Sequence, residues 1–248
     1  MPGREDTRVR WLHPGLVAVL LVVAAWEGGS RVGWLDPVLM SSPGRIFKAA
    51  ARLFESGALT GDIIFTLQVF GVSIVLAMVL GFGAGVVMGI NRFAYQVLNP
   101  FVVMANGLPK VVLMPWIVLW LGISMAANVF LGTLMASFPV LTSVYGGVRQ
   151  MDGDLVLLAR SFGASRRFVW FHVLLPSLLP HILAGLRVAI SYTMVGVILA
   201  EFFASNRGLG HRMVVYMSNL DVDAFFVCVV LVACWTVGCT SIVRALER

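Results

Sequence analysis

Lysine is almost missing from this chain: Lys48 and Lys110 are the only two in 248 residues, and neither follows a glycine-rich turn. A phosphate-cradling loop of the form G-x-x-x-x-G-K-[ST] is therefore absent, and with it the usual means of binding and hydrolysing ATP within the polypeptide. Charge of either sign is also scarce, at 12% of residues against 59% hydrophobic. Water-soluble domains carry about 25% charged residues, so this chain cannot keep a polar surface all round, and a mean hydropathy of +0.93 puts it in a membrane. The three cysteines, Cys228, Cys234 and Cys239, all fall in the last apolar segment, an odd set without the spacing of a disulfide framework or zinc site. His13, His172, His181 and His211 are scattered, and no metal site is expected. No nucleophile with a base and an orienting group can be assembled, so the chain is not expected to be an enzyme. The net charge of +6 comes from basic residues at the ends of apolar segments, which orients helices and gives no patch for nucleic acid.

What is present is a series of apolar runs. A crossing of the hydrocarbon takes about 20 such residues, and six spans are expected at 15–26, 63–90, 97–121, 128–148, 180–203 and 224–243. The fold class is thus an all-α integral membrane protein, one transmembrane domain over 1–248 with six spans and one interfacial helix. Residues 1–13 form a polar tail with Arg4, Arg8 and Arg10, and the run after it fits either an uncleaved anchor or a secretory signal. At 41–57 Ser42 suits a helix cap and Pro43 the first helical position. There Arg45, Lys48, Arg52 and Glu55 oppose Ile46, Ala50, Leu53 and Phe54, the pattern of a helix lying on the membrane surface. Gly81, Gly85 and Gly89 make a smooth stripe that suits close packing inside the subunit or a seam with a second copy. Pro100, Pro109 and Pro115 predict a kinked third span. With a cytoplasmic N-terminus, ten Lys or Arg fall inside against six outside, which agrees with the positive-inside rule.

Between the fourth and fifth spans lies a polar hook at 152–176. Asp152 or Asp154 can cap a short helix on which Leu155, Leu158 and Phe162 share a face, and Gly163 ends it. Ser165 caps a second helix opened by Arg166 and Arg167, with Phe168, Phe171 and Leu175 along a stripe and Pro176 as its stop. Two amphipathic arms meeting at a glycine give a knob with an apolar tip and a basic shoulder, something that a soluble partner can grip.

The hook resembles the cytoplasmic loop of permease subunits of bacterial ABC importers, whose motif runs Glu-Ala-Ala, three residues, Gly, then a later Leu-Pro. Ala159, Gly163, Leu175 and Pro176 match, while Leu157 and Leu158 stand where the family has Glu and the first Ala. SSPGRIF from Ser41, GLPK from Gly107, WLGI from Trp120, FPV from Phe138, AEFF from Ala200 and GLG from Gly208 extend the likeness over 41–223, and together they look like the nitrate, sulfonate and taurine branch. The resemblance implies a type I importer bundle that works as two permease copies on two ATP-binding subunits. ATP and magnesium would sit on those partners, with no cofactor in this chain, and a periplasmic or lipid-anchored binding protein would deliver the solute. It also implies the bacterial inner membrane, surrounding lipid, both termini in the cytoplasm, and a small anion such as nitrate, a sulfonate, taurine or a similar organic acid as cargo. The ATPase contact would then fall on Leu155, Leu158, Ala159, Phe162, Gly163, Ala164, Ser165, Arg166, Phe168 and Pro176.

Lys110 is the residue that most resembles a cargo contact. A charge within a span costs about 2.5 to 3.5 kcal/mol on insertion scales, and such side chains face the protein interior or a wet path; the plain reading is a lysine that reaches a surface along a tilted helix. Asn106, Ser137, Thr142 and Tyr192 could line the same path or serve ordinary interhelical bonding. Arg187 is expected to reach toward headgroups or the hook. Glu201, near Asn206 and Arg207, could brace the outer loop, or all three could meet the binding protein. The competing reading, an ion-gradient transporter or channel, calls for intramembrane acids, and Asp62 and Glu201 lie only at span ends.

Overall fold

The computed structural model describes residues 14–34, 36–151 and 153–247, and among them every regular element is helical. The tail at 1–13 and the proposed cap Asp152 lie outside the described residues. Four helices are long and apolar enough to cross a membrane: α3 (Thr60–Ile90), α6 (Met125–Gln150), the run Arg166–Ala204, and α11 (Val222–Leu246). Taken as one span, the bent pair 92–121 makes a fifth, and it departs from the expected kinked helix. Here α4 (Arg92–Gly107) stops before Leu108 and Pro109, a 3-10 turn follows over Lys110–Leu113, and α5 (Met114–Leu121) leaves at 93° to α4. Pro109 cannot donate the bond that would continue α4, and Pro115 sits in the first turn of α5, where no donor is needed.

The expected first span, 15–26, falls on a helix that is not among those four. Helix α1 (Pro14–Arg31) has 18 residues, about 27 Å at 1.5 Å each, and its last turns carry Glu27 and Arg31. Its end is tied to α2 (Pro43–Glu55): Trp26 Nε1 donates to Ser41 O at 2.9 Å, and the Glu27 carboxylate accepts from Gly44 N at 2.9 Å. Ser42 caps α2 as expected, accepting from Arg45 N, with Pro43 at the first position. The helix is not merely laid on lipid. Ile46 and Ala49 are buried in a cluster with Leu209, Met213, Val227 and Cys228, and Arg45 pairs with Asp223 at the start of α11.

The core is the triangle of α3, α6 and α9 (Leu175–Ala204), centred on Ala77, Val140, Val144, Leu178 and Ala189. The glycine stripe of α3 faces α6 within the subunit, which decides between its two readings. A Cβ at Gly81 would come 2.6 Å from Ser137 O, one at Gly85 2.8 Å from Leu141 O, and one at Gly89 2.5 Å from Val148. Val140, Val144 and Val148, at the same four-residue spacing, fill the holes that the glycines leave. Backbone approach of this kind is how helices hold together where lipid removes the hydrophobic driving force.

Two elements differ from expectation near the last spans. The second arm of the hook does not stop at Pro176. Helix α8 (Arg166–Val169) passes through a π turn at Trp170–Leu174 straight into α9, giving 39 continuous residues. The wider turn lets Leu175 N bond Trp170 O, so the chain shifts register just where proline lacks its donor. Residues after Ala204, expected as loop, include α10 (Leu209–Ser218), whose Leu209 and Met213 are buried against α2 and α11.

Candidate functional site

Three regions of the bundle carry polar or exposed groups that packing alone does not require: a cavity at the bend in the 92–121 pair, the hook, and a clasp at the opposite end. The cavity, about 570 Å³, is lined by Asn106 and Lys110 from the bend, Met135, Pro139, Thr142 and Ser143 from α6, and Ala184, Gly185, Val188 and Tyr192 from α9. Four of the five expected path residues, Asn106, Lys110, Thr142 and Tyr192, therefore meet in one space. Ser137 does not. It lines a separate apolar recess with Leu76, Leu80 and Phe130, its hydroxyl donating to Leu134 O.

Hydrogen-bond accounting shows what the cavity can offer a solute. Thr142 Oγ1 donates to Phe138 O at 3.0 Å and Ser143 Oγ to His181 O at 2.7 Å, so both hydroxyl protons are spent on backbone. Lys110, Asn106 and Tyr192 keep their donors, and no carboxylate is among the lining residues. The Lys110 ammonium lies 4.8 Å from the centroid of the Phe138 ring. The site thus combines one cation and two neutral donors with an apolar wall of Met135, Pro139 and Val188. A larger groove beside α5, about 630 Å³, is lined only by apolar residues such as Val111, Met114 and Phe203, and it has nothing to orient a polar solute.

The hook is a helical hairpin. Helix α7 (Gly153–Ser161) ends at a turn in which Gly163 has φ +77° and Ala164 N bonds Ala159 O. Ser165 caps the second arm, accepting from Phe168 N at 3.2 Å, and the Phe168 and His172 rings stack at 4.4 Å. Leu155 and Leu158 on α7 and Phe162 in the turn after it are exposed, Phe162 at 84%, and Phe168 and Phe171 are exposed on the other arm. Arg160, Arg166 and Arg167 are exposed beside them. Pro176 is not part of the tip, being in the first turn of α9.

At the far end, Glu201 is fully buried. Thr66 Oγ1 donates to its carboxylate at 2.8 Å, Gly210 N donates to it at 2.8 Å, and Leu209 N donates to Thr66 Oγ1 at 2.9 Å. Asp62 accepts from Gly208 N at 2.7 Å and from Arg212 Nε at 2.5 Å, and this bond pushes the Arg212 guanidinium above its ordinary pKa. Glu201 therefore fastens the loop after α9 onto α3 and has no surface for a docking protein, whereas Asn206 and Arg207 are exposed at the tip of that loop. Arg187, expected to reach headgroups or the hook, pairs with Glu247 at the end of α11. Spacing could have revealed two features that sequence reasoning missed: Leu209, Met213 and Tyr216 recur at helical intervals, and Met135, Pro139 and Thr142 mark one face of α6.

Comparison with known proteins adds relatives over most of the chain. The model of a family described as the inner membrane component of binding-protein-dependent transport systems matches residues 73–248. The aliphatic sulfonates transport permease protein SsuC of Escherichia coli is 31% identical across 86% of this chain and 81% of its own. The formylaminopyrimidine transport permease protein ThiX of Halalkalibacterium halodurans is 30% identical across 87% and 85%. The taurine transport system permease protein TauC of Escherichia coli is 26% identical across 98% and 93%. A chain of the MetNI methionine ABC transporter, solved in inward-facing conformations, superposes with a TM-score of 0.63 at 20% identity over 77% of this chain and 96% of that one, a likeness of fold. The chain belongs to the binding-protein-dependent transport family and is an ABC permease subunit of the inner membrane, not an enzyme.

Proposed function

We propose that this permease moves a small anion through the cavity at Lys110, driven by a separate ATPase that grips the hook around Gly163. The observation that carries the reading is the exposed apolar tip, Leu155, Leu158, Phe162, Phe168 and Phe171, set on a polar hairpin between two spans. Apolar surface of that kind beside basic side chains is suited to burial in a groove of a soluble protein. The second arm runs unbroken into α9, and 39 residues at 1.5 Å each make a rod of about 58 Å. Displacement of Phe168 is therefore carried to Tyr192 in the cavity and on to Glu201 in the clasp.

ATP can do conformational work only through different affinities for two states of its host. In this scheme ATP and magnesium bind two ATPase subunits and favour their closed pair, the grooves that hold two hooks approach, and two permease copies tilt α9 against α3 and α6. With α1 and the bent pair each crossing once, both termini and the hook lie in the cytoplasm, and a binding protein meets the opposite face near Asn206 and Arg207. The cargo is anionic because the lining residues supply one ammonium, two neutral donors and no carboxylate. The relative named for aliphatic sulfonates fits this charge, and taurine offers the same sulfonate oxyanion on a zwitterion; the one named for formylaminopyrimidine does not require it.

Purification from native membranes tests the engine: an ATPase is expected to accompany the chain in fixed proportion, and its absence sinks the ATP-driven reading. Proteoliposomes with ATPase and binding protein test the cargo. Lys110→Met is expected to lower uptake of methanesulfonate or taurine at unchanged assembly, and wild-type uptake by that variant removes the cavity from the path.

A further inference from the structure

Lys110 and Phe138 belong to different short motifs, GLPK and FPV, which the fold brings together at the cavity. Lys110 opens the 3-10 turn after the 93° bend, so its backbone is fixed by the corner at Pro109. Phe138 is half-buried on α6, next to the cavity residue Pro139. The ammonium has no ion-pair or hydrogen-bond partner among the described residues. What it has is the ring, 4.8 Å from nitrogen to centroid, within the range in which an aromatic face attracts a cation.

A ring and an oxyanion compete for such an ammonium. The ring's quadrupole offers a weak, undirected attraction, whereas a sulfonate or carboxylate offers a full charge and a charge-assisted hydrogen bond. A bound oxyanion sharing the donors of Asn106 and Tyr192 draws Lys110 Nζ off the ring. A neutral solute has no charge with which to do so. We propose that Phe138 is a specificity-determining residue of the cavity: its ring is the resting place of the Lys110 ammonium, and leaving it is the step that admits anions and sets their affinity. The proposal rests on the reading of the cavity as the anion path.

The scarcity of lysine makes the test direct. In the full chain carrying Lys48→Arg, in lipid nanodiscs, reductive methylation with carbon-13 formaldehyde labels Lys110 and keeps its charge; Lys110→Arg identifies the signal. The Lys110 methyl resonance is expected to lie upfield, in the ring current, of its position in Phe138→Leu. Methanesulfonate is expected to move it downfield, and the neutral isostere dimethyl sulfone to leave it in place. In Phe138→Leu half-saturation is expected at about two- to fivefold lower methanesulfonate, since the competing ring is gone. Phe138→Met gives the same readout if the leucine variant fails to fold. A resonance at one position in wild type and both variants overturns the proposal, and if methanesulfonate still shifts it the anion path survives. An upfield resonance that methanesulfonate never moves defeats the anion path and the proposal with it.

Discussion

Glu201 and Gly210 are joined by a hydrogen bond of 2.8 Å from the Gly210 N–H to a carboxylate that has no exposed surface. The bond closes the loop between α9 and α10, and Thr66 on α3 shares the same carboxylate. A buried donor stripped of its acceptor costs about 1 to 3 kcal/mol. Glu201→Leu strips two, Gly210 N and Thr66 Oγ1. It is therefore expected to lower the melting temperature of the purified protein and to open the 205–208 loop to protease. Glu201→Gln keeps one acceptor oxygen and is expected to fall between. Equal melting of all three proteins would refute the clasp.

The glycines of α3 separate into those that touch α6 and those that do not, which makes a paired test. A side chain at Gly85 meets Leu141 O and Val144, while one at Gly83 meets nothing within 4 Å. Overpacking a close contact costs about 1 to 3 kcal/mol, and more where backbone is the obstacle. Gly85→Leu is expected to reduce folded yield and thermal stability sharply, and Gly83→Leu to change little. The reverse order, measured by size-exclusion profile and melting, would place the close face of α3 against something other than α6.

Gly163 tests the hook by conformation alone, because a side chain there meets open space and only its φ of +77° resists substitution. A β-branched residue in that region costs about 1 to 2 kcal/mol and favours a different corner. Gly163→Val is expected to lose the ATPase on co-purification or to leave ATP hydrolysis running without uptake, while Gly163→Asn, which tolerates the left-handed region, keeps most of both. Wild-type coupling in the valine variant would mean that the corner does not transmit force.

Much of this was legible in the sequence, where the signal is periodic or where one residue type has one backbone use. The glycine stripe, the Ser42–Pro43 helix start, the Ser165 cap and the turn at Gly163 are of that kind. Rules about proline were less decisive. Three prolines announced a kink in 97–121, but the right-angle break depends on Leu108 and Pro109 ending α4 together, and Pro176 failed as a stop because a π turn absorbed its missing donor. Ser137 was chosen for its hydroxyl and not for its face. At about 100° per residue it points well away from Met135, Pro139 and Thr142. Glu201 had two plausible roles in sequence, and burial, which no local pattern reports, chose the bracing one.

Helix α4 supplies the remaining test, because none of its residues is buried and its base meets α6 through stacked rings, Tyr95 on Tyr145 with centroids 5.0 Å apart. The same helix places Asn106, in its last turn, in the wall of the cavity. An element so lightly held, joined to the core by the sharp turn at Asn91 and to α5 by the bend at Pro109, is suited to swing when α9 tilts. Tyr95→Cys with Tyr145→Cys, in a chain whose three native cysteines are replaced by serine or alanine, allows a short thiol-to-thiol linker to pin α4 against α6. Linking is expected to stop uptake in proteoliposomes while leaving the ATPase bound, and a reducible linker is expected to restore uptake when cleaved. If the linked protein transports at the unlinked rate, α4 stays fixed on α6 throughout the cycle, and the cavity must open by separating α9 from the α4–α6 pair.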